Sequence, residues 1–188
     1  MRCFLALLPP PGFGEALGSY LDALAPRLAG WRRVRPEGLH LTLAFLGDTG
    51  PDGVAAVTEA LRVLEAAAPP APVFVFRRVT GFPSRGRPRA LVLEPEGGLP
   101  ETLAAREFLR AALAGFPRLA EAFGASFRAH LTLARPGSGA ARPPVGMALP
   151  PDQSGPAVFG RVALMESTLG PGGSRYCILA QATLRGPA

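Results

Sequence analysis

The chain has no lysine and no asparagine, and it has only two histidines among its 188 residues. All 20 of its cationic side chains are therefore arginine, whereas hyperthermophile proteins are enriched in Lys and Glu. This composition indicates a GC-rich genome rather than an adaptation to heat. The net charge of +6 nevertheless favours polyanionic partners such as nucleic acid.

Cysteines and long apolar runs are also scarce. Two cysteines, Cys3 and Cys177, cannot form a disulfide framework, and since each lies in an apolar run we expect both to be reduced and buried. No apolar stretch reaches the 18 residues of a membrane span, and the run at 3–8 is too short for a signal peptide. We therefore expect no membrane partner and a cytoplasmic location.

The chain lacks the G-x-S-x-G string of a nucleophile elbow and the Walker A string of P-loop proteins. It does contain the string HLTLA twice, beginning at His40 and at His130. The two copies hold both histidines, and histidine is the side chain that exchanges protons near neutral pH. Because the copies lie about half a chain apart, they predict an internal duplication and acid–base catalysis by one imidazole from each half.

Apolar periodicity predicts an α+β fold of two similar lobes, with mainly antiparallel sheets, flanking helices and an active cleft between the lobes. We expect residues 1–188 to form a single bilobal domain with one H-x-T-x motif per lobe. Helices are predicted over 17–28, around 54–64 and over 99–116, where Leu99, Leu103, Leu109, Leu113 and Phe116 form one apolar arc. Strands are predicted over 3–8, 31–35, 39–46, 73–80, 88–94, 126–134, 157–168 and 175–184.

Successive side chains of a strand point to opposite faces, so His40 and Thr42 share one face of the first H-x-T strand. In the second copy Arg128, His130 and Thr132 share one face in the same way. The opposite face carries the apolar residues, Phe45 included, into the core of a lobe. Two imidazoles and two hydroxyls that face each other suit an in-line displacement at phosphorus. The other interpretation is structural, with H-x-T as the polar face of a half-buried strand.

A metal centre is not predicted. The two histidines have no Cys or carboxylate at the spacing of a zinc site, and two imidazoles can take a proton from the attacking oxygen and give one to the leaving oxygen without a metal. We therefore expect neither a metal nor a cofactor.

The strings HLTLAFLG at 40–47 and HLTLARP at 130–136 resemble the paired H-x-T-x signatures of the 2H phosphoesterase superfamily. The similarity is greatest to the bacterial and archaeal RNA 2′,3′-cyclic phosphodiesterases, first described as 2′-5′ RNA ligases. It extends along the chain through an opening FLAL strand, a Phe-Pro loop with Arg87 and Arg89, and a closing strand pair near Tyr176.

This resemblance implies that His40 is the proton donor and His130 the proton acceptor. It also implies that Thr42 and Thr132 bind the phosphate and that Arg135 assists them. Counted along an ideal strand, Arg135 falls on the face opposite His130, so we expect the chain to bend at Pro136 in order to bring Arg135 to the site.

The activity implied is metal-independent hydrolysis of RNA 2′,3′-cyclic phosphate ends to 2′-phosphomonoesters, with 2′-5′ ligation through the same histidines. The alternatives are a phosphodiesterase of another cyclic phosphate or of 2′-5′ oligonucleotides, and a non-catalytic module that binds RNA ends. The expected partner is RNA with a cyclic phosphate end, with no protein partner and a monomeric chain. Three arginine clusters, at 32–35, 77–78 and 85–89, are candidates for contact with RNA phosphates.

Overall fold

The computed structural model of the chain describes residues 1–83, 87–124, 126–141, 145–150, 153–170 and 173–186. Arg85 lies outside these ranges, as do residues 171–172 between the strands predicted over 157–168 and 175–184. The strands are β1 (Arg2–Leu8), β2 (Trp31–Arg33), β3 (Leu41–Asp48), β4 (Val73–Phe82), β5 (Ala90–Glu96), β6 (Leu131–Pro136), β7 (Ala157–Val158), β8 (Arg161–Gly170) and β9 (Gly173–Thr183). The helices are α1 (Phe13–Ala23), α2 (Pro51–Ala67), α3 (Leu99–Ala112) and α4 (Pro117–Glu121). None of these helices is both long enough and apolar enough to cross a bilayer.

The strands form one antiparallel sheet in the order β7-β4-β5-β6-β3-β1-β8-β9, and β2 pairs with the free part of β6. The middle of this sheet is narrow, because β3 and β6 are joined through the single pair Leu41–Leu131. This join divides the sheet into two halves, and each half contains one of the H-x-T strands. The predicted α+β fold with two antiparallel lobes is confirmed.

The two faces of the sheet differ in what covers them. One face packs against α1, α2 and α3, and its buried residues form one large apolar cluster to which both halves contribute. The opposite face has only a small cluster of Phe4, Ala6, Leu8, Ala163 and Met165, with Tyr176 packed against it. Polar side chains can therefore lie on this second face without entering the main core.

The first predicted helix is shorter than its apolar spacing suggests. Helix α1 ends at Ala23, and Ala25–Arg27 form a separate 3₁₀ turn. Pro26 explains the break, because proline has no N–H and its ring collides with the carbonyl four residues earlier. Helix α2 agrees better with the prediction, since it ends at Ala67 just before the Pro69–Pro70 pair.

The apolar arc predicted for the third helix is only partly correct, since Leu109 and Leu113 are buried but its other three members are not. Leu99, Leu103 and Phe116 are exposed, whereas the buried stripe of α3 consists of Thr102, Ala105, Arg106 and Leu109. These four follow the i, i+3, i+4, i+7 spacing of a helix face, and the two polar members make internal hydrogen bonds. The helix also ends at Ala112, and the short α4 begins after it at Pro117.

Several strand predictions need correction. The strand predicted over 126–134 begins only at Leu131, because β3 and β6 pair at one position and the residues before it have no ladder partner. The strand predicted over 157–168 is divided into β7 and β8. Cys3 is buried as predicted, but Cys177 is exposed because it lies on the edge strand β9.

Candidate active site

The pair Leu41–Leu131 brings the two motifs together. If its antiparallel register is continued by one residue on each side, His40 lies opposite Thr132 and Thr42 lies opposite His130. Thr42 also shares a face with Ala6 of the small cluster, its partner across β1 and β3. The four side chains predicted from the two strings therefore converge on the face that the helices do not cover.

Each imidazole is held by the backbone in the same way. The Nδ1 atom of His40 lies 2.8 Å from the carbonyl oxygen of Gly38, and that of His130 lies 2.8 Å from the carbonyl oxygen of Arg128. A carbonyl only accepts hydrogen bonds, so Nδ1 donates its proton to it in both residues. The Nε2 atom is consequently the one that is left to gain or lose a proton.

His40 lies in an aromatic environment. Its ring centroid is 4.8 Å from that of Phe4 and 5.0 Å from that of Tyr176. Burial lowers the pKa of His40 from the ordinary 6.5 to about 4, and the positive charges of Arg135 and His130 act in the same direction, while the hydrogen bond to Gly38 opposes them. His40 is therefore neutral at pH 7 in the free protein, and Arg135 and His130 lie close enough to act on it electrostatically.

The ring of His130 is stacked on that of Phe82, with centroids 4.7 Å apart and an interplanar angle of 14°. Arg128 lies over the same phenyl ring at 5.4 Å, and its guanidinium pairs with Glu94 at 2.5 Å. The alternation of side chains along the strand predicted that Arg128 lies beside His130, and the structure places it there. Its charge is, however, already paired with the carboxylate of Glu94. The sequence did not predict Phe82 as a site residue, although Phe82 is the phenylalanine of the Phe-Pro loop.

Arg135 reaches the site through a β-bulge, and the predicted bend at Pro136 is not its cause. Across β5 and β6, Leu91 pairs with Ala134 while Val92 pairs with Thr132, so Leu133 is an extra residue in β6. A bulge of this kind shifts the alternation of side chains by one position. Leu133 and Ala134 both lie in the core, and Arg135 emerges on the same side as Thr132.

The first motif has the same bulge. Leu5 pairs with Ala44 and Ala6 pairs with Thr42, which leaves Leu43 as the extra residue. Phe45 is consequently the counterpart of Arg135, and it is 67% exposed. The prediction that Phe45 points into the core is therefore wrong, for the same reason that Arg135 reaches the site.

Arg106 is a buried residue that the sequence reasoning missed. Its guanidinium donates hydrogen bonds to the carbonyl oxygens of Leu43 and Phe123, and it lies 4.0 Å over the ring of Phe127. Since Leu43 is the bulged residue of β3, Arg106 holds the bulge that orients Thr42 and Phe45. The only signal in the sequence is its helical spacing with Thr102, Ala105 and Leu109.

An open cleft of about 1600 Å³ borders the two H-x-T strands, and we call it the two-histidine cleft; of the two histidines, His130 belongs to its lining. Its lining includes Thr42, Phe45, His130, Thr132, Arg87 and Arg135. Among the residues that the structure describes, no three His, Cys, Asp or Glu side chains form a group that could hold a metal ion. The cleft thus combines hydroxyls, an imidazole and arginines with apolar walls, a combination that suits a nucleotide phosphate.

Comparison with known proteins agrees with this geometry. A model of the LigT-like phosphoesterase family matches residues 7–92. An RNA 2′,3′-cyclic phosphodiesterase of Thermus thermophilus is 33% identical over 99% of this chain and 91% of its own length. A protein of the same name from Archaeoglobus fulgidus is 33% identical over 72% of each chain.

Two solved structures show the same fold. A crystal structure of a Thermus thermophilus protein superposes with a TM-score of 0.79 and 30% identity over all of both chains. E. coli LigT complexed with 3′-AMP has a TM-score of 0.70 and 21% identity, with 97% of this chain and 96% of LigT covered. The chain therefore belongs to the LigT-like phosphoesterases of the 2H superfamily, the family that includes the RNA 2′,3′-cyclic phosphodiesterases.

Proposed function

We propose that this protein hydrolyses 2′,3′-cyclic phosphate ends of RNA to 2′-phosphomonoesters. The observation that carries the proposal is the convergence of His40 and His130 across one strand pair, each with Nδ1 fixed on a carbonyl and Nε2 left for proton exchange. The names of the two relatives from Thermus and Archaeoglobus support the choice of substrate.

In the proposed reaction one neutral histidine accepts a proton from water as the water oxygen attacks phosphorus. The new bond joins that oxygen to phosphorus while the bond from phosphorus to O3′ breaks. The second histidine, which is protonated, donates its proton to O3′, so the products are a 2′-phosphate and a free 3′-hydroxyl. The hydroxyls of Thr42 and Thr132 and the guanidinium of Arg135 bind the non-bridging oxygens as negative charge develops.

We assign the proton donor to His40 and the acceptor to His130. The lowered pKa of His40 means that a donor at this position must gain its proton with the substrate present. A bound cyclic phosphate favours this, because its negative charge offsets the positive charges of Arg135 and His130. Burial by Phe4 and Tyr176 then makes His40 a stronger acid than an exposed imidazole.

The first test compares wild type with His40→Ala and His130→Ala on an RNA oligonucleotide that ends in a 2′,3′-cyclic phosphate, after EDTA treatment. Wild type should give the 2′-phosphate, and each variant should lose about 10²–10⁴-fold in rate while its circular dichroism stays native. RNA binding without turnover in wild type would favour an RNA-end-binding module. Activity that returns only with added divalent metal would contradict the two-histidine mechanism.

A second test separates the two roles. When sulfur replaces the bridging 3′ oxygen, the leaving group hardly needs a proton, so His40→Ala should recover much of its rate and His130→Ala should not. Recovery by His130→Ala alone would exchange the roles. Recovery by neither variant would mean that the histidines bind the phosphate without transferring protons.

We also propose that residues 1–188 act as a single bilobal domain and as a monomer, without a cofactor. The shared apolar core of the two halves supports the single domain.

A further inference from the structure

A second groove of about 720 Å³ adjoins the two-histidine cleft. One wall is formed by residues 32–38, and the other by residues 169–170 at the end of β8 and 173–176 at the start of β9. Its lining includes Arg32, Arg33, Arg35, Arg135, Arg175 and Tyr176, and we call it the arginine groove. Arg135 lines both the groove and the cleft, so the two spaces meet at the residue proposed to bind the reacting phosphate.

The charges of the arginine groove are poorly compensated from within the protein. Arg33 pairs with Asp22, and Glu37 is the one carboxylate in the lining that the structure describes. In the part of the chain with described coordinates, the side chains of Arg32, Arg35 and Arg175 make no ion pair or hydrogen bond. These three cations are therefore free to bind an external anion.

The strand register brings two of the arginines together. Arg32 and Arg135 are direct partners across β2 and β6, and like charges in that position destabilise a strand pair. The cost is offset when an anion binds between them. The cluster at 77–78 differs, because Arg77 is paired with Glu96 at 2.6 Å.

Both walls of the groove are held in place by packing. A Cβ atom on Gly14 of α1 would lie 2.9 Å from the carbonyl oxygen of Pro36, so the helix supports the first wall closely. Gly38 likewise lies against the ring of Tyr176, where a Cβ atom would be 3.5 Å from the ring. The arginines therefore project from a fixed frame, which reduces the ordering that a ligand must impose.

We propose that the arginine groove binds the phosphodiester backbone of RNA on the 5′ side of the terminal nucleotide, while the terminal cyclic phosphate reacts in the two-histidine cleft. This inference rests on the proposed function and specifies its substrate class as an RNA strand rather than a free cyclic nucleotide. Backbone binding by exposed arginines is independent of base sequence and sensitive to salt.

The test uses a triple variant, Arg32→Gln, Arg35→Gln and Arg175→Gln, and a control triple, Arg62→Gln, Arg110→Gln and Arg118→Gln. The control removes the same charge from helices α2, α3 and α4. KM is measured for an eight-nucleotide RNA with a 2′,3′-cyclic phosphate end and for adenosine 2′,3′-cyclic phosphate. We expect the groove variant to raise KM for the RNA by about tenfold and to leave KM for the mononucleotide unchanged. The control should change neither value.

Salt dependence supplies a second readout. Binding of the same RNA with a 2′-phosphate end, followed by fluorescence anisotropy, should give a slope of log Kd against log salt that falls by about 0.7 for each arginine removed. Equal KM changes on both substrates, or none on either, would overturn the inference while the proposed function stands. An unchanged salt slope would also overturn it. A wild-type protein inactive on both substrates would refute the proposed function itself.

Discussion

At the scale of single residues, the two histidines have the same backbone contact but different surroundings. His40 packs against Phe4 and Tyr176, whereas His130 stacks on Phe82. The burial of His40 lowers its pKa to about 4. Identical strings therefore place two imidazoles in different environments, and a reaction with one acid and one base requires two imidazoles with different roles.

This difference predicts a pH effect of Tyr176→Ala. His40, the proposed proton donor, reacts in its protonated form, so the alkaline limb of kcat/KM falls as pH rises through the pKa of His40, near pH 4 in the free wild-type protein. Removal of the Tyr176 ring admits water to His40, which raises its pKa and moves this alkaline limb upward, towards 6.5. The measurement is a pH profile of kcat/KM on adenosine 2′,3′-cyclic phosphate, with Ile178→Ala on the same strand as the control. An alkaline limb that stays in place would show that the ring does not control the pKa of His40.

The substitution Arg135→Gln tests the proposed contact between Arg135 and the phosphate. Loss of a charge-assisted hydrogen bond to the phosphate costs about 1.5–3 kcal/mol, so Arg135→Gln should lower kcat/KM on the mononucleotide by roughly 10- to 100-fold. Because its positive charge also lowers the pKa of His40, the alkaline limb should move upward in this variant. Arg118→Gln on α4 is the control. If Arg135→Gln behaves like Arg118→Gln, the bulge does not deliver Arg135 to the substrate.

At the scale of elements, the site depends on one bulge in each H-x-T strand. The extra residues Leu43 and Leu133 turn Phe45 and Arg135 towards the cleft. Arg106 of α3 binds the carbonyl oxygen of Leu43 and so couples the helix to the first bulge.

Arg106→Met tests this coupling. The substitution leaves two buried carbonyl oxygens without their donor, and each such group costs about 1–3 kcal/mol, so the free energy of unfolding should fall by about 2–6 kcal/mol. The turnover number should fall as well, since Thr42 is no longer held. Arg110→Met, one turn later on the exposed side of α3, should change the stability by no more than about 0.5 kcal/mol. Urea denaturation and kcat are measured for both variants. If Arg106→Met and Arg110→Met lower the stability and kcat equally, Arg106 has no positioning role.

At the scale of the whole molecule, the two halves share one apolar core although their sheet is joined by a single residue pair. A shared core predicts one cooperative unfolding transition. Trp31 is the sole tryptophan, and its indole donates to the carbonyl oxygen of Ala141, so its fluorescence reports the local environment where β2 pairs with β6.

We therefore expect the Trp31 fluorescence and far-ultraviolet circular dichroism transitions to coincide in urea. Leu131→Ala removes a fully buried side chain at the join and should destabilise the protein by about 2–5 kcal/mol, with both probes shifted equally. Val63→Ala on the exposed side of α2 is the control and should have little effect. Two separated transitions would mean that the halves fold independently, against the single-domain proposal.

The sequence by itself determined the features that depend on short-range patterns. Most of the order of strands and helices, α4 and the division of β7 from β8 excepted, follows from local periodicity and from the backbone restrictions of proline, as do the end of α2 before Pro69 and the two H-x-T strings. The convergence of His40 and His130 was also accessible, because one repeated string contained both histidines. The break in α1 and the polar stripe of α3 were not accessible, because both helix predictions rested on the spacing of apolar residues alone.

The tertiary structure alone decided the features that depend on a partner far away in the chain. The bulges at Leu43 and Leu133 exist only relative to the registers of β1 and β5, and no local period encodes a mismatch between two strands. The same is true of Arg106, whose acceptors lie in β3 and after α4, and of Arg175, which meets Arg32 and Arg35 through the hairpin. Each arginine looks the same in the sequence, and the long-range contacts assign it to the core, the cleft or the groove.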